Sequence, residues 1–131
     1  MLIELVRVAK FANRPWLADV RTSFGHGAAR WCGDHSAEPG EYRVEWTIDE
    51  NIVWGWNAKP ATGTGPGLRT GGHCLVLRGQ LILTEDGAAA LDWDGTTILL
   101  DLSAPLPEGV TGTWVELFIE REKIALYPYV L

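Results

Sequence analysis

The strongest constraint in this chain is a period of two. From Trp114 to Glu120, the residues Val115, Leu117 and Ile119 alternate with Trp114, Glu116, Phe118 and Glu120. That period places each set on one face of a β-strand. Glu120-Arg121-Glu122-Lys123 is polar enough to turn in water, and Ile124, Leu126 and Pro128 resume the alternation. A similar phrase lies about seventy residues earlier. There Val44, Trp46 and Ile48 alternate with Arg43, Glu45 and Thr47, Asp49-Glu50-Asn51 turns, and Ile52, Trp54 and Trp56 share the next face. Read as two hairpins, the phrases suggest two similar halves, although any two antiparallel hairpins would share this much. Matching both ends of the phrases needs one-residue shifts, so one copy would carry a bulge.

The rest of the chain follows the same period. In Leu2 to Phe11, Leu2, Leu5, Val6 and Ala9 fit a helical stripe, while Glu4 to Val8 is rich in β-branched residues; Asn13-Arg14-Pro15 stops the stretch early and its neighbours are strands, so a strand is expected. Trp16, Ala18, Val20, Thr22 and Phe24 mark a second strand, Gly25-His26-Gly27 a turn, and Ala28 to Cys32 a third strand. Residues 57–72 contain Pro60, Pro66 and five glycines, which reads as a connection between halves. Beyond it, Leu75, Leu77, Leu81 and Leu83 form one strand face, interrupted by Gly79, a residue that often marks a bend. Asp94-Gly95 is the strongest hairpin signal in the chain. Ser103 to Thr111, with Pro105, Pro107 and Gly109, crosses without helix.

Three meander strands, a crossing segment and two more strands is the order of an OB-type barrel. The runs Val76-Leu77-Arg78-Gly79-Gln80-Leu81, Gly112-Thr113-Trp114-Val115-Glu116-Leu117 and Ile124-Ala125-Leu126 resemble the transport-associated OB (TOBE-like) and molybdate-binding barrels. The resemblance covers Cys74 to Tyr129 and implies a fold only. The Ser-Ala-Arg-Asn run of the molybdate-binding members is replaced by Thr70-Gly71-Gly72-His73-Cys74, so no ligand residues carry over. The same cadence also resembles a cupin-like jelly roll, but the His-x-His pair and the following Glu of its metal site are missing.

Charge limits the partners. Against 11 Lys and Arg stand 17 Asp and Glu, a net charge of −6, and no basic run exists. Nucleic-acid binding rests on such cations, so it is disfavoured. A basic patch would have to be built from Arg7, Lys10, Arg14, Arg21 and Arg30. No apolar run approaches the roughly 18 residues of a membrane span. The N-terminus lacks a signal-peptide pattern, and two cysteines make no secreted disulfide framework, so the expected location is cytoplasmic.

Seven tryptophans in 131 residues are the main chemical resource. Trp46, Trp54 and Trp93 fall on apolar faces and are expected in the core. Trp114 and Phe118 share a face with carboxylates, and with Trp56 and Trp31 they are the candidate ligand- or partner-binding residues. The competing reading packs Trp114 and Phe118 between halves. A metal site could draw on Cys32, His35 and His73, with His26 and Cys74 nearby in sequence, because Cys32-Gly33-Asp34-His35 has ligand-like spacing. Against it, His73 and Cys74 would point to opposite faces of an extended chain, and no metal or other cofactor is expected. Gly63 to Thr70 lacks the Gly-Lys-Ser/Thr ending of a phosphate loop. No catalytic set stands out, and Asp92, Asp94 and Asp101 read as hairpin and edge solvation.

The expected fold is therefore all-β, antiparallel and OB-like. Its similar halves, 1–56 and 73–131, pack together across the 57–72 connection. The expected role is a non-enzymatic binding module, monomer or homodimer, engaging a protein or small ligand through aromatic surface. A single-stranded nucleic-acid-binding OB domain and a small metal-binding protein are the alternatives.

Overall fold

The computed structural model describes residues 1–130. It is all-β, with eleven strands and one 3₁₀ turn, Arg121–Lys123. Five strands close a ring: β1 (Leu2–Ala9), β2 (Leu17–Thr22), β3 (Gly25–Trp31), β4 (Gly40–Ile48) and β11 (Ile124–Tyr129). β1 pairs antiparallel with β2 and β4, β2 with β3, and β4 with β11. β11 then closes onto β3 as a parallel pair, Ala125 opposite Arg30 and Leu126 opposite Trp31. The register of β1 against β2 jumps between Leu5 and Arg7, a bulge that bends β1 around the ring. Inside lie Leu5, Val20, Trp31, Val44 and Leu126, as the alternation requires. The result is a small closed barrel compatible with the OB-like class.

The remaining strands form an open sheet: β5 (Ala58–Pro60), β6 (Gly67–Gly71), β7 (Cys74–Leu83), β8 (Ala89–Trp93), β9 (Thr96–Leu99) and β10 (Trp114–Glu120). β7 is its axis. One side of it pairs with β10. The other side pairs with β6 from Cys74 to Arg78 and with β8 from Gln80 to Leu83. Gly79 sits where the partner changes. A Cβ there would stand 2.7 Å from the Asp92 carbonyl oxygen, so the bend expected at this glycine is a point of close backbone approach. β8 and β9 are joined by Asp94 (φ 53) and Gly95 (φ 82), the two positive φ values of a type I′ hairpin.

One core serves both regions. Trp93 is fully buried and donates its Nε1–H to the Gly67 carbonyl at 3.1 Å. Its ring meets Trp46 edge-on at 4.8 Å and Phe24 at 5.0 Å, so Trp93 stands between open sheet and barrel. The sheets themselves join at a single parallel bridge, Gly25 to Leu68, where any Cβ on Gly25 would collide with the Leu68 carbonyl.

Three expectations differ from this architecture. Neither repeated phrase is a hairpin: β10 pairs with β7 and β5, while β11 pairs with β4 and β3. After β4, Ile52 bridges to Leu102 and Trp54 to Ala58 instead of returning along β4. The phrases share a cadence but not neighbours, because alternation sets a strand's faces and leaves its partners open. Second, the closed ring is not formed within 73–131; it consists of β1–β4 plus the last strand. Third, the 57–72 connection itself carries two strands, β5 and β6. Its glycines at 63 and 67 lie against the Arg78 side chain, so the segment is ordered around that arginine.

Candidate functional site

The outward face of β6-β7-β10-β5 gathers most of the uncommitted aromatic and cationic chemistry. In β10, Val115, Leu117 and Ile119 are buried, while Trp114, Glu116 and Phe118 are half-buried on the opposite face. Cross-strand register sets their neighbours. Glu116 lies opposite Arg78 on β7 and Lys59 on β5, and Phe118 opposite Val76, which itself lies opposite Arg69. Lys59 Nζ stands 5.3 Å and Arg69 Cζ 5.8 Å from the Phe118 ring centroid, so two cations flank one aromatic side chain.

Just before β5 the chain makes a tight turn, Val53 to Asn57. Asn57 is buried and holds the turn from inside. Its Oδ1 accepts the Val53 N–H at 2.8 Å, and its Nδ2 donates to the Asn51 carbonyl at 2.9 Å. Its carbonyl accepts the Phe118 N–H at 2.8 Å, tying the turn to β10. The Trp56 N–H donates to the Val53 carbonyl at 3.0 Å. These bonds hold the Trp56 backbone while its side chain stays in solvent: Trp56 is 75% exposed.

Trp54, on the same turn, faces a different environment. With Trp114, Pro60 and Val110 it lines an open cleft of about 510 Å³, rimmed by Thr62, Thr64, Thr113 and Glu108. Two half-buried indoles, hydroxyls and one carboxylate give an amphipathic wall able to stack against a flat or apolar group and hydrogen-bond its edges. The free edge of β5 is blunted, because Pro60 has no N–H and the Ala58 carbonyl accepts the Gly55 N–H at 2.8 Å.

Of the residues expected to bind, the structure brings together Trp114 and Phe118 on β10, with Trp56 on the turn tied to that strand. Trp31 does not belong with them. It is 3% exposed in the barrel, its Nε1–H donates to the Asp34 carbonyl at 2.8 Å, and it packs edge-on to Tyr42 at 5.7 Å. Alternation with the small residues of β3 put it inside.

The metal candidates are also dispersed. His35 stacks on Trp16 with ring centroids 4.4 Å apart, and Cys32 bonds through its N–H to the Leu126 carbonyl beside β11. His73 lines a separate hollow with Arg14 and Arg121. Among the described residues no group of three or more His, Cys, Asp or Glu is placed to hold a metal ion. Asp34, between two candidates, accepts hydrogen bonds from the Ser36 N–H and hydroxyl, which lower its pKa and commit it to its own loop.

The arginines expected to form a basic patch are mostly paired. Arg7 meets Asp19 at 2.7 Å, Arg14 Glu122 at 2.6 Å, Arg30 Asp49 at 2.6 Å, and Arg21 Glu4 at 3.9 Å. The Arg14 bond pulls the Glu122 carboxyl below the ordinary glutamate range. Glu50 goes the other way: burial and then the nearby Glu120 raise its pKa, and its Oε2 is buried without a partner.

Sequence reasoning did not single out Lys59, Arg69, Arg78 or Asn57. Reading 57–72 as a connection hid Lys59 and Arg69, and nothing in one-dimensional spacing brings them beside Phe118. The signal that was available is Arg78, a charge on the outward face of the most apolar strand. No helix among the described residues is long and apolar enough to cross a membrane. Comparison with family models, with curated proteins and with solved structures gives no match, so the site is read from its own geometry.

Proposed function

We propose that this chain is a non-enzymatic binding module that engages a protein partner or small ligand through the aromatic surface of Trp56, Phe118 and the Trp54–Trp114 cleft. The observation that carries the reading is Trp56: a large aromatic side chain left 75% exposed on a turn held by four backbone N–H bonds, from Val53, Gly55, Trp56 and Asn57. Folding alone gains little from an exposed indole, whereas a rigid aromatic anchor loses little entropy when it is covered by a partner. The cleft beside it suits an apolar or planar group.

The nucleic-acid alternative draws less support, because four of the five arginine and lysine residues it would use are already paired with carboxylates. The transport-associated OB resemblance bears on the fold; the closed ring is made largely from residues outside the stretch that carried it.

Two measurements test the reading. A native mass spectrum of protein purified without a metal-affinity step should show either a mass above the 14.4 kDa chain, for a retained small ligand, or the bare chain. Capture from a cell lysate should then retain a species that is lost with Trp56→Ala or Trp114→Ala and kept with Leu99→Ala, a control on an exposed residue of β9. A bare mass together with an identical retained set for all variants would contradict the proposal.

A further inference from the structure

We infer that the partner presents an acidic, extended peptide segment, and that one of its carboxylates enters the pocket between Arg69 and Arg78; this rests on the binding-module reading and names the chemistry of its partner. The pocket has a volume of about 170 Å³ and is lined by Arg69, Arg78, Glu116, Val76, Leu68 and Phe24. That is room for a carboxylate and its stem above an apolar floor.

The two guanidinium groups are differently committed. Arg78 Nε donates to the Gly65 carbonyl at 2.9 Å, which fixes the group. Among the described residues, the Arg78 Nη atoms have no hydrogen-bond partner and are not buried. Arg69 Nη2 reaches Glu116 Oε2 only at 3.4 Å, a looser contact than the 2.6 to 2.7 Å pairs of Arg7, Arg14 and Arg30 on the barrel. Lys59 adds a third cation beside Phe118, with no ion pair among the described residues. Three cations thus lie on one face around a single carboxylate, Glu116, which among the described residues pairs only with Arg69, on a protein whose net charge is −6.

Charge complementarity selects an anionic occupant. The locality of the patch selects a short one, since a long polyanion would meet the surrounding negative charge. The half-buried Phe118 ring offers apolar footing for a neighbouring side chain of an extended segment, with Val76 buried beneath it. Glu116 holds the Arg69 position loosely until an external carboxylate replaces it.

The test is an NMR titration of the isotope-labelled full chain with short poly-L-glutamate, and in parallel with oligothymidylate. Saturable shifts from polyglutamate are expected at Arg69, Val76, Arg78 and Phe118, weakening with added salt. Arg69→Gln, at an exposed side chain, should weaken binding about tenfold, the scale of one charge-assisted hydrogen bond. Lys59→Gln should weaken it less. Glu116→Gln should tighten it several-fold, an outcome that a merely structural role for Glu116 would not produce. The inference is overturned if polyglutamate gives no saturable shifts at this face, if Glu116→Gln leaves binding unchanged or weaker, or if oligothymidylate binds the same residues more tightly. A partner that still depends on Trp56 while polyglutamate fails would keep the binding module and remove only its acidic partner. Polyglutamate binding with no Trp56-dependent partner would do the reverse.

Discussion

The closed barrel and the open sheet handle the same problems differently. The barrel has its edges joined by ring closure, and four of its arginines face carboxylates. The open sheet keeps free edges at β5 and β9 and sets Lys59, Arg69 and Arg78 around Glu116, of which only Arg69 reaches the carboxylate, at 3.4 Å. Its aromatics are also spent differently. Trp31 and Trp46 are in the barrel core, whereas Trp54 and Trp114 line a cleft and Trp56 stands in water. One region is closed in both backbone and charge; the other keeps unspent contact chemistry on a stable base. On the proposed reading, recognition falls on the open sheet.

The hardest way to break the comparison is at the shared core. Trp93→Ala removes the ring between Trp46 and Phe24 and should cost about 3–5 kcal/mol, lowering the urea midpoint for both regions together. Two separated transitions, by tryptophan fluorescence and by circular dichroism, would show instead that the regions fold independently. Next comes Asn57→Ala. It strands the Val53 N–H and the Asn51 carbonyl and should cost about 1–3 kcal/mol, with faster amide exchange confined to residues 51–58 and β10. Exchange that rises equally in the barrel would deny the turn its local role.

A smaller effect sharpens the electrostatic side. The Glu50 carboxyl has a folded-state pKa raised by burial and by Glu120, so the folded protein holds this proton more tightly than the unfolded chain does. Its ionisation then opposes folding above the raised pKa, and the opposition disappears below the unfolded value of about 4.3. Glu50→Gln should therefore be more stable than wild type at pH 7, by less than about 1 kcal/mol, with the advantage vanishing in acid. Glu122 has the opposite sign. Arg14 depresses its pKa, so its contribution is present above the unfolded value and is lost as pH falls through the lowered one. Arg14→Gln should flatten that acid limb of the stability curve; an unchanged limb would mean the surface pair contributes nothing.

Much of the fold was legible because burial leaves a record in alternation. Val44-Trp46-Ile48, Val115-Leu117-Ile119 and the leucines of β7 were assigned to faces that the structure buries, apart from Leu83 at the end of β7, which is exposed. Asp94-Gly95 announced its turn because few residues tolerate positive φ. Pairing left no such record. The link from β11 to β3 joins residues about ninety-five positions apart, and a strand's faces read the same whichever neighbours it has. Of the candidate residues, Trp114 and Phe118 lie on the β10 face that alternation assigned, whereas Trp56, read as sharing a face with Ile52 and Trp54, stands apart from them because 53–57 is a turn. Trp31 was misplaced because a bulky aromatic beside loop residues looks exposed when its strand partners are unknown. Lys59, Arg69 and Arg78 were missed because their nearness exists only after β5, β6 and β7 have paired with one another or with β10.

The central claim is that Trp56 is displayed for contact and not for stability, and it can be measured without a partner. Equilibrium urea unfolding of Trp56→Ala beside wild type and Trp93→Ala tests it directly. The account predicts a change within about 0.5 kcal/mol for Trp56→Ala, against several for Trp93→Ala. A loss of 2 kcal/mol or more at Trp56, on the scale of about one buried large side chain, would make its indole a structural element and contradict the account.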